Sequence, residues 1–293
     1  MRDGVALMQT DQAQRKGCEA MRVLMVKSTW GMTEPWPEQI EAIARAGYDA
    51  VEVPITALTE PDAFFATLKA KCLLWVGQVF STGGAHDVRE HIESFQRQVE
   101  DSVPWKPLLL DAHTARDVMS FDEQCRFYEA ALAIEQRWGV AIGHETHRSR
   151  AMFTPWTTAA LLNQFPALKV TADLSHWVNV CESYLEDHRE AVDLTLSRTI
   201  HIHGRVGHPE GPQVPDPAAP EWAEALARHE VWWDQIRAYR TAAGQDHLTF
   251  DPEFGPPGYM PTLPHSGQPV ADLWRVCAWM AEREKSRWST APG

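Results

Sequence analysis

Residues 140–177 read VAIGHETHRSRAMFTPWTTAALLNQFPALKVTADLSHW. Residues 140–145 are an apolar, strand-forming run that ends in His144-Glu145-Thr146-His147-Arg148. Residues 155–163 carry a helix. Residues 169–173 are a second strand, ending in Asp173-Leu174-Ser175-His176-Trp177. A strand, a helix and a strand in that order predict two parallel neighbours joined by a crossover.

The same unit repeats in both directions. Toward the N-terminus, strands are predicted at 21–27, 48–54, 73–80 and 107–112, with helices at 36–46, 62–70, 88–103 and 121–138 between them. Ile40, Ile43 and Ala44 form one apolar stripe, and Gly47 closes that helix. Toward the C-terminus, helices at 184–196, 219–242 and 269–284 alternate with strands at 199–203 and 247–253. Eight strand–helix units with no Ser- or Gly-rich linker predict a single (β/α)₈ TIM barrel over residues 21–285. A polar leader (1–20) precedes it and a short tail (286–293) follows. The leader has no signal-type apolar core, and Met21 would serve equally as a start. The alternative, an open doubly wound sheet, calls for a Gly-rich turn after the first strand. Ser28-Thr29-Trp30-Gly31-Met32 is not GxGxxG.

Composition narrows the partners. The net charge of -13 repels phosphate backbones, so nucleic acid is not expected as a partner. No apolar run is long enough to span a membrane. The five cysteines are scattered without CxxC pairing, which fits free thiols in a cytoplasmic protein. Assembly into a homo-oligomer is left open.

The strand ends carry the chemistry. Strand five delivers Glu145, strand six Asp173, strand seven His201-Ile202-His203, and strand eight Asp251-Pro252-Glu253. In a barrel these positions line the mouth. Side chains at i and i+2 share a face. If Glu145 points into the mouth, so does His147, while His144 faces the helices. His201 then lies one layer below His203, and Asp251 one layer below Glu253. Asp173 and His176 converge only if the chain turns directly after Asp173. Three carboxylates in one dry mouth need a counter-charge. A divalent cation on Glu145, Asp173, His203 and Glu253 supplies it. This hard donor set suits manganese first, then magnesium, cobalt or zinc. The competing account pairs the acids with Arg148, Arg205 and Lys27 instead.

The ordered set Glu, Asp-x-x-His, His-x-His, Glu resembles that of the xylose-isomerase-like barrels, the superfamily of sugar isomerases and epimerases. That group also holds ketose 3-epimerases, inosose dehydratases, hydroxypyruvate isomerases and type IV abasic-site endonucleases. The resemblance covers residues 21 to about 283 as a pattern of strand ends. By motif position it implies a metal shell of Glu145, Asp173, His203 and Glu253. It also implies Glu145 and Glu253 as the catalytic acid/base pair, with His176 on the substrate. One departure is visible. Ketose epimerases follow the seventh-strand histidine with an acidic and basic pair, whereas this chain reads Gly204-Arg205-Val206-Gly207-His208, so Arg205 stands in for the arginine in a different register.

Further candidates lie beside these. His113, His147, Arg205 and Trp177 are read with His176 as substrate contacts. His113 has a helix-capping alternative, and Glu52 is read as bonding substrate or Lys27. Trp30 and Trp156 stand near strand ends where a sugar ring could stack. His86 reads as solvent-exposed, and the proline-rich loop 209–220 as a lid or an inert excursion. Trp222, Trp232 and Trp233 read as packing or an interface.

The expected activity is isomerisation or epimerisation of a small sugar or other polyhydroxy carbonyl compound through a metal-bound enediolate. A lyase or dehydratase on a related sugar derivative shares that intermediate. A metal-dependent hydrolase, with His113, His147, His201 and His208 as extra ligands, ranks below both. A non-catalytic sugar-binding module ranks last.

Overall fold

Eight parallel strands pair in chain order, and the first closes on the last to complete a barrel. They are β1 (Arg22–Ser28), β2 (Ala50–Pro54), β3 (Leu74–Phe80), β4 (Leu109–His113), β5 (Ile142–Glu145), β6 (Lys169–Ala172), β7 (Thr199–His203) and β8 (His247–Asp251). This computed structural model describes residues 21–290, so the leader and residues 291–293 lie outside it. Among the described residues the α-helices are α1 (Trp36–Arg45), α2 (Pro61–Ala70), α3 (Val88–Ser102), α4 (Phe121–Trp138), α5 (Pro155–Gln164), α6 (Leu174–Val180), α7 (Arg189–Ser197), α8 (Ala223–Ala242) and α9 (Leu273–Thr290). None of them is long and apolar enough to cross a membrane.

Local chemistry sets the ends. Ser120 and Glu123 form a capping box at the start of α4, and Gly139 closes it at φ 63°. Thr154 caps α5 ahead of Pro155.

The structure corrects three expectations. Helix α6 was not expected: Asp173 caps it directly after β6, and its five buried residues (Leu174 to Val178) leave no amphipathic period to read. The helix expected from residue 184 begins instead at Arg189, because Glu182 (φ 47°) and Leu185 (φ 64°) take left-handed turns that no helix accommodates. The last helix absorbs residues 286–290 of the expected tail. Trp288 anchors that turn, donating from Nε1 to Asp234 Oδ1 at 2.8 Å and packing on Phe250.

The barrel interior has two layers. Val26, Ala50, Val76, Leu109 and Ile200 form an apolar plug, distinct from the larger core between strands and helices. Two residues further along β1 to β4 stand Ser28, Glu52, Gln78 and Asp111, also buried. His144 faces outward against Tyr128 and Thr114, which leaves Glu145 facing inward as alternation requires.

Candidate metal centre

Four elements deliver four side chains to one point. Glu145 is the last residue of β5, Asp173 the N-cap of α6, His203 the last residue of β7, and Glu253 lies two residues beyond β8. Pro252 has no N–H to extend the β8 ladder. One ligand atom from each lies within 4.8 Å of all the others, and none of the four is more than 5% exposed. The turn that brings Asp173 and His176 together is the cap itself. Asp173 Oδ1 accepts from the Ser175 amide at 3.0 Å and from its hydroxyl at 2.5 Å, leaving Oδ2 for the mouth.

The layer beneath fixes His203. Its Nε2 lies 3.2 Å from Glu52 Oε1, and His201 Nε2 lies 2.9 Å from Glu52 Oε2. His201 Nδ1 is 2.7 Å from the Thr249 hydroxyl. One buried carboxylate therefore accepts from two imidazoles. This points the His203 Nε2–H at Glu52 and aims Nδ1 at Glu145 Oε1 (3.1 Å) and Glu253 Oε2 (3.3 Å). Two carboxylate oxygens facing a ring nitrogen need a cation there, either a proton or a metal. Without a metal it is the proton. Burial works against the charged ring, but Glu253, Glu52 and Asp111 hold the His203 pKa well above its ordinary value. Burial, reinforced by Glu145 and Glu253, pushes Asp173 up to about 6 despite Arg205.

Arg205 realises part of the competing ion-pair account. Its Nε donates to Asp173 Oδ2 at 3.1 Å, and its Nη2 pairs with Glu253. Lys27 does not join; it donates to the Ser28 carbonyl at 2.5 Å. Arg148 pairs with none of these acids and lies against the Tyr259 ring. Arg205 reaches two of the three carboxylates and leaves Glu145 to imidazoles. Three oxygen donors and an oriented imidazole nitrogen fit a hard divalent ion.

The remaining expected residues divide. His113 Nε2 lies 2.8 Å from Glu145 Oε2 and 3.5 Å from Asp111 Oδ2. Burial opposes its charge, but Glu145 and Asp111 raise its pKa to about 10. His147 packs between His113 and His176, with ring centroids 5.0 and 3.9 Å away. His176 is buried; neither ring nitrogen makes a hydrogen bond, and Nε2 lies 3.6 Å from Asp173 Oδ2. Trp177 is a correction: it is fully buried and donates to the carbonyl of Met152, in the loop after β5, at 3.0 Å, so its indole packs within the protein and has no free N–H for a substrate. Glu52 is another, because it bonds His201 and His203 and not Lys27 or the mouth. Trp30 does reach the site, 5.3 Å from the Arg205 guanidinium, whereas Trp156 is exposed beside His188. His208 packs on Trp222, and His86 sits in solvent near Glu123. In the proline-rich loop, Gln213 bonds both backbone groups of Gly255, tying that loop to the segment after Glu253.

Sequence reasoning missed Tyr259. It lies in Gly255-Pro256-Pro257-Gly258-Tyr259, a turn-forming run with no period to mark it, yet its ring contacts Trp30, Arg148, Arg205 and His176.

No protein-family model matches the chain, and no curated protein matches it by sequence. Solved structures match its fold. A D-psicose 3-epimerase from Clostridium cellulolyticum H10 aligns at TM-score 0.61 and 11% identity, covering 90% of this chain and 98% of that one. A probable 3-DHS dehydratase from Bacillus anthracis aligns at 0.60 and 14%, covering 90% and 99%. IOLI protein with a bound zinc atom aligns at 0.59 and 13%, covering 91% and 96%. At such identities the likeness establishes the architecture, and at that level it bears out the resemblance drawn from the strand ends.

Proposed function

We propose that this chain is a divalent-metal-dependent enzyme that isomerises or epimerises a small polyhydroxy carbonyl compound. The observation that carries the reading is the orientation of His203: Nε2 donates to Glu52, and Nδ1 faces the Glu145 and Glu253 carboxylates, which call for a cation there. Glu145, Asp173, His203 and Glu253 would hold the ion, with manganese first by donor hardness. A bound divalent ion supplies Lewis acidity toward substrate oxygens. Glu145 and Glu253 approach the same nitrogen from β5 and from beyond β8, so a substrate seated between them meets a carboxylate on each side. One removes the proton next to the carbonyl, and the other delivers its own proton to the opposite face or the neighbouring carbon, after which solvent resets both. His176 and Arg205 bind substrate oxygens. The solved neighbours described as epimerases support this class. The acidic net charge favours a small-molecule substrate over nucleic acid.

His113 favours a second reading. A protonated imidazole 2.8 Å from Glu145 is placed to donate to a departing hydroxyl, which makes a dehydratase. One experiment tests both. The manganese-loaded protein is incubated in deuterated water with a panel of ketoses and keto acids and followed by NMR. Deuterium at the carbon beside the carbonyl is expected, with loss of the β-hydroxyl marking the dehydratase. Turnover without label, and without a primary isotope effect on α-deuterated substrate, would overturn proton abstraction in favour of hydrolysis.

A further inference from the structure

We propose that the mouth selects a substrate bearing a carboxylate, gripped by Arg148 together with Arg205 and His176 around the ring of Tyr259. This rests on the mouth being the substrate site and names what that site selects.

Tyr259 gathers three donors. The guanidinium carbons of Arg205 and Arg148 lie 4.5 and 4.9 Å from its centroid, and the His176 ring 6.1 Å. Each donor has unused capacity. Arg205 commits Nε and Nη2 to Asp173 and Glu253, but its Nη1 is buried without a partner. Both ring nitrogens of His176 are buried without a hydrogen bond, Nε2 lying 3.6 Å from Asp173 Oδ2, and a neutral ring has one N–H to give. Arg148 has no carboxylate within ion-pair distance among the described residues, in a chain with 40 acidic residues against 27 Lys and Arg. Buried donors without acceptors are costly, so such a set marks a place for an acceptor-only group.

Arg148 decides which acceptor fits: its charge has no carboxylate partner among the described residues, so an anion answers it where a neutral hydroxyl does not. The planar fork of a guanidinium matches the two oxygens of a carboxylate. The expected substrate class is thus a sugar acid that also bears a carbonyl, such as a uronate or keto-aldonate, with the carboxylate at the Tyr259 side of the mouth.

The test compares D-gluconate with D-glucitol, the neutral polyol of equal chain length, by calorimetry on manganese-loaded protein. Gluconate is expected to bind at least about tenfold more tightly, the worth of one added charge-assisted contact. Arg148→Gln should bring the two to within about twofold, and Arg148→Lys, which keeps charge but loses the fork, should fall between. Equal binding in the native protein overturns the proposal, as does heat from neither ligand. So does a preference that survives Arg148→Gln, since the ion and not the arginine would then read the carboxylate, or inorganic phosphate binding more tightly than gluconate. A separate manganese titration judges the metal reading alone. If no manganese binds, the same ratio on metal-free protein decides the carboxylate proposal.

Discussion

Ala50 and Glu52 stand two residues apart on β2, face the same barrel interior and are equally buried. Ala50 joins Val26, Val76, Leu109 and Ile200 in a plug that only fills space. Glu52 joins Gln78, Asp111, His201 and, higher still, the four-residue cluster. Geometry does not separate the layers, since strand pairing carries both. What separates them is cost. The lower layer gains from leaving water, while the upper takes charges out of water and recovers the loss only through partners. Asp251 shows the strain of that arrangement: both its oxygens are buried and unpartnered, and burial with Glu52 nearby holds its pKa well above the carboxylate range. The lower layer reads as stability, and the upper as a site whose fixed charges are there for a ligand.

Substitutions should split the layers accordingly. In the upper, Glu253→Gln keeps an oxygen donor but removes a base, so turnover should fall by roughly 10²–10⁴-fold while the melting temperature holds or rises. A variant that melts much lower and turns over normally would erase the distinction. In the lower, Leu109→Ala should cost about 2–5 kcal/mol by denaturant unfolding, through lost burial and the cavity left behind. Manganese affinity per folded chain should stay unchanged, and a large loss of affinity would show the plug to be part of the site.

Glu52→Gln probes the boundary. If Glu52 orients His203, manganese affinity should drop about 10–100-fold by calorimetry. Unchanged affinity would make Glu52 a bystander. The last probe is pH. Below about 6 Asp173 holds a proton, and His203 keeps its own well above the ordinary range. The ion must displace them, so acid favours the metal-free form. Apparent affinity should weaken by about tenfold per pH unit for each proton released. Affinity flat from pH 7 to 5 would mean that these groups are not the ligands.

The barrel was legible because its strands alternate with helices, and the cluster because Glu145, Asp173, His203 and Glu253 each end a predicted strand. Alternation also placed His144 outward and His201 below His203. What failed was direction at positions without a period. Trp177 reads as a mouth residue beside His176, but one step along a helix rotates the side chain by about 100°, and its N–H goes to the Met152 carbonyl. Glu52 was noticed but not assigned, since its partners lie 149 and 151 residues away. Tyr259 sits in a proline- and glycine-rich loop, where local chemistry predicts a turn and nothing of what the turn carries. Arg205 reached Asp173 and Glu253 because the turn after β7 is tight. A Cβ on Gly204 would come 2.1 Å from Phe250, and one on Gly207 2.8 Å from the Ser175 carbonyl.

The central claim is that one divalent ion belongs among Glu145, Asp173, His203 and Glu253. Crystals soaked in manganese chloride and measured at the manganese absorption edge test it most directly. The account predicts one anomalous peak within about 2.4 Å of an oxygen or nitrogen of each of the four, with Arg205 drawn off Asp173 and Glu253. A mouth without a peak, in which Arg205 still bridges the two carboxylates, would contradict it.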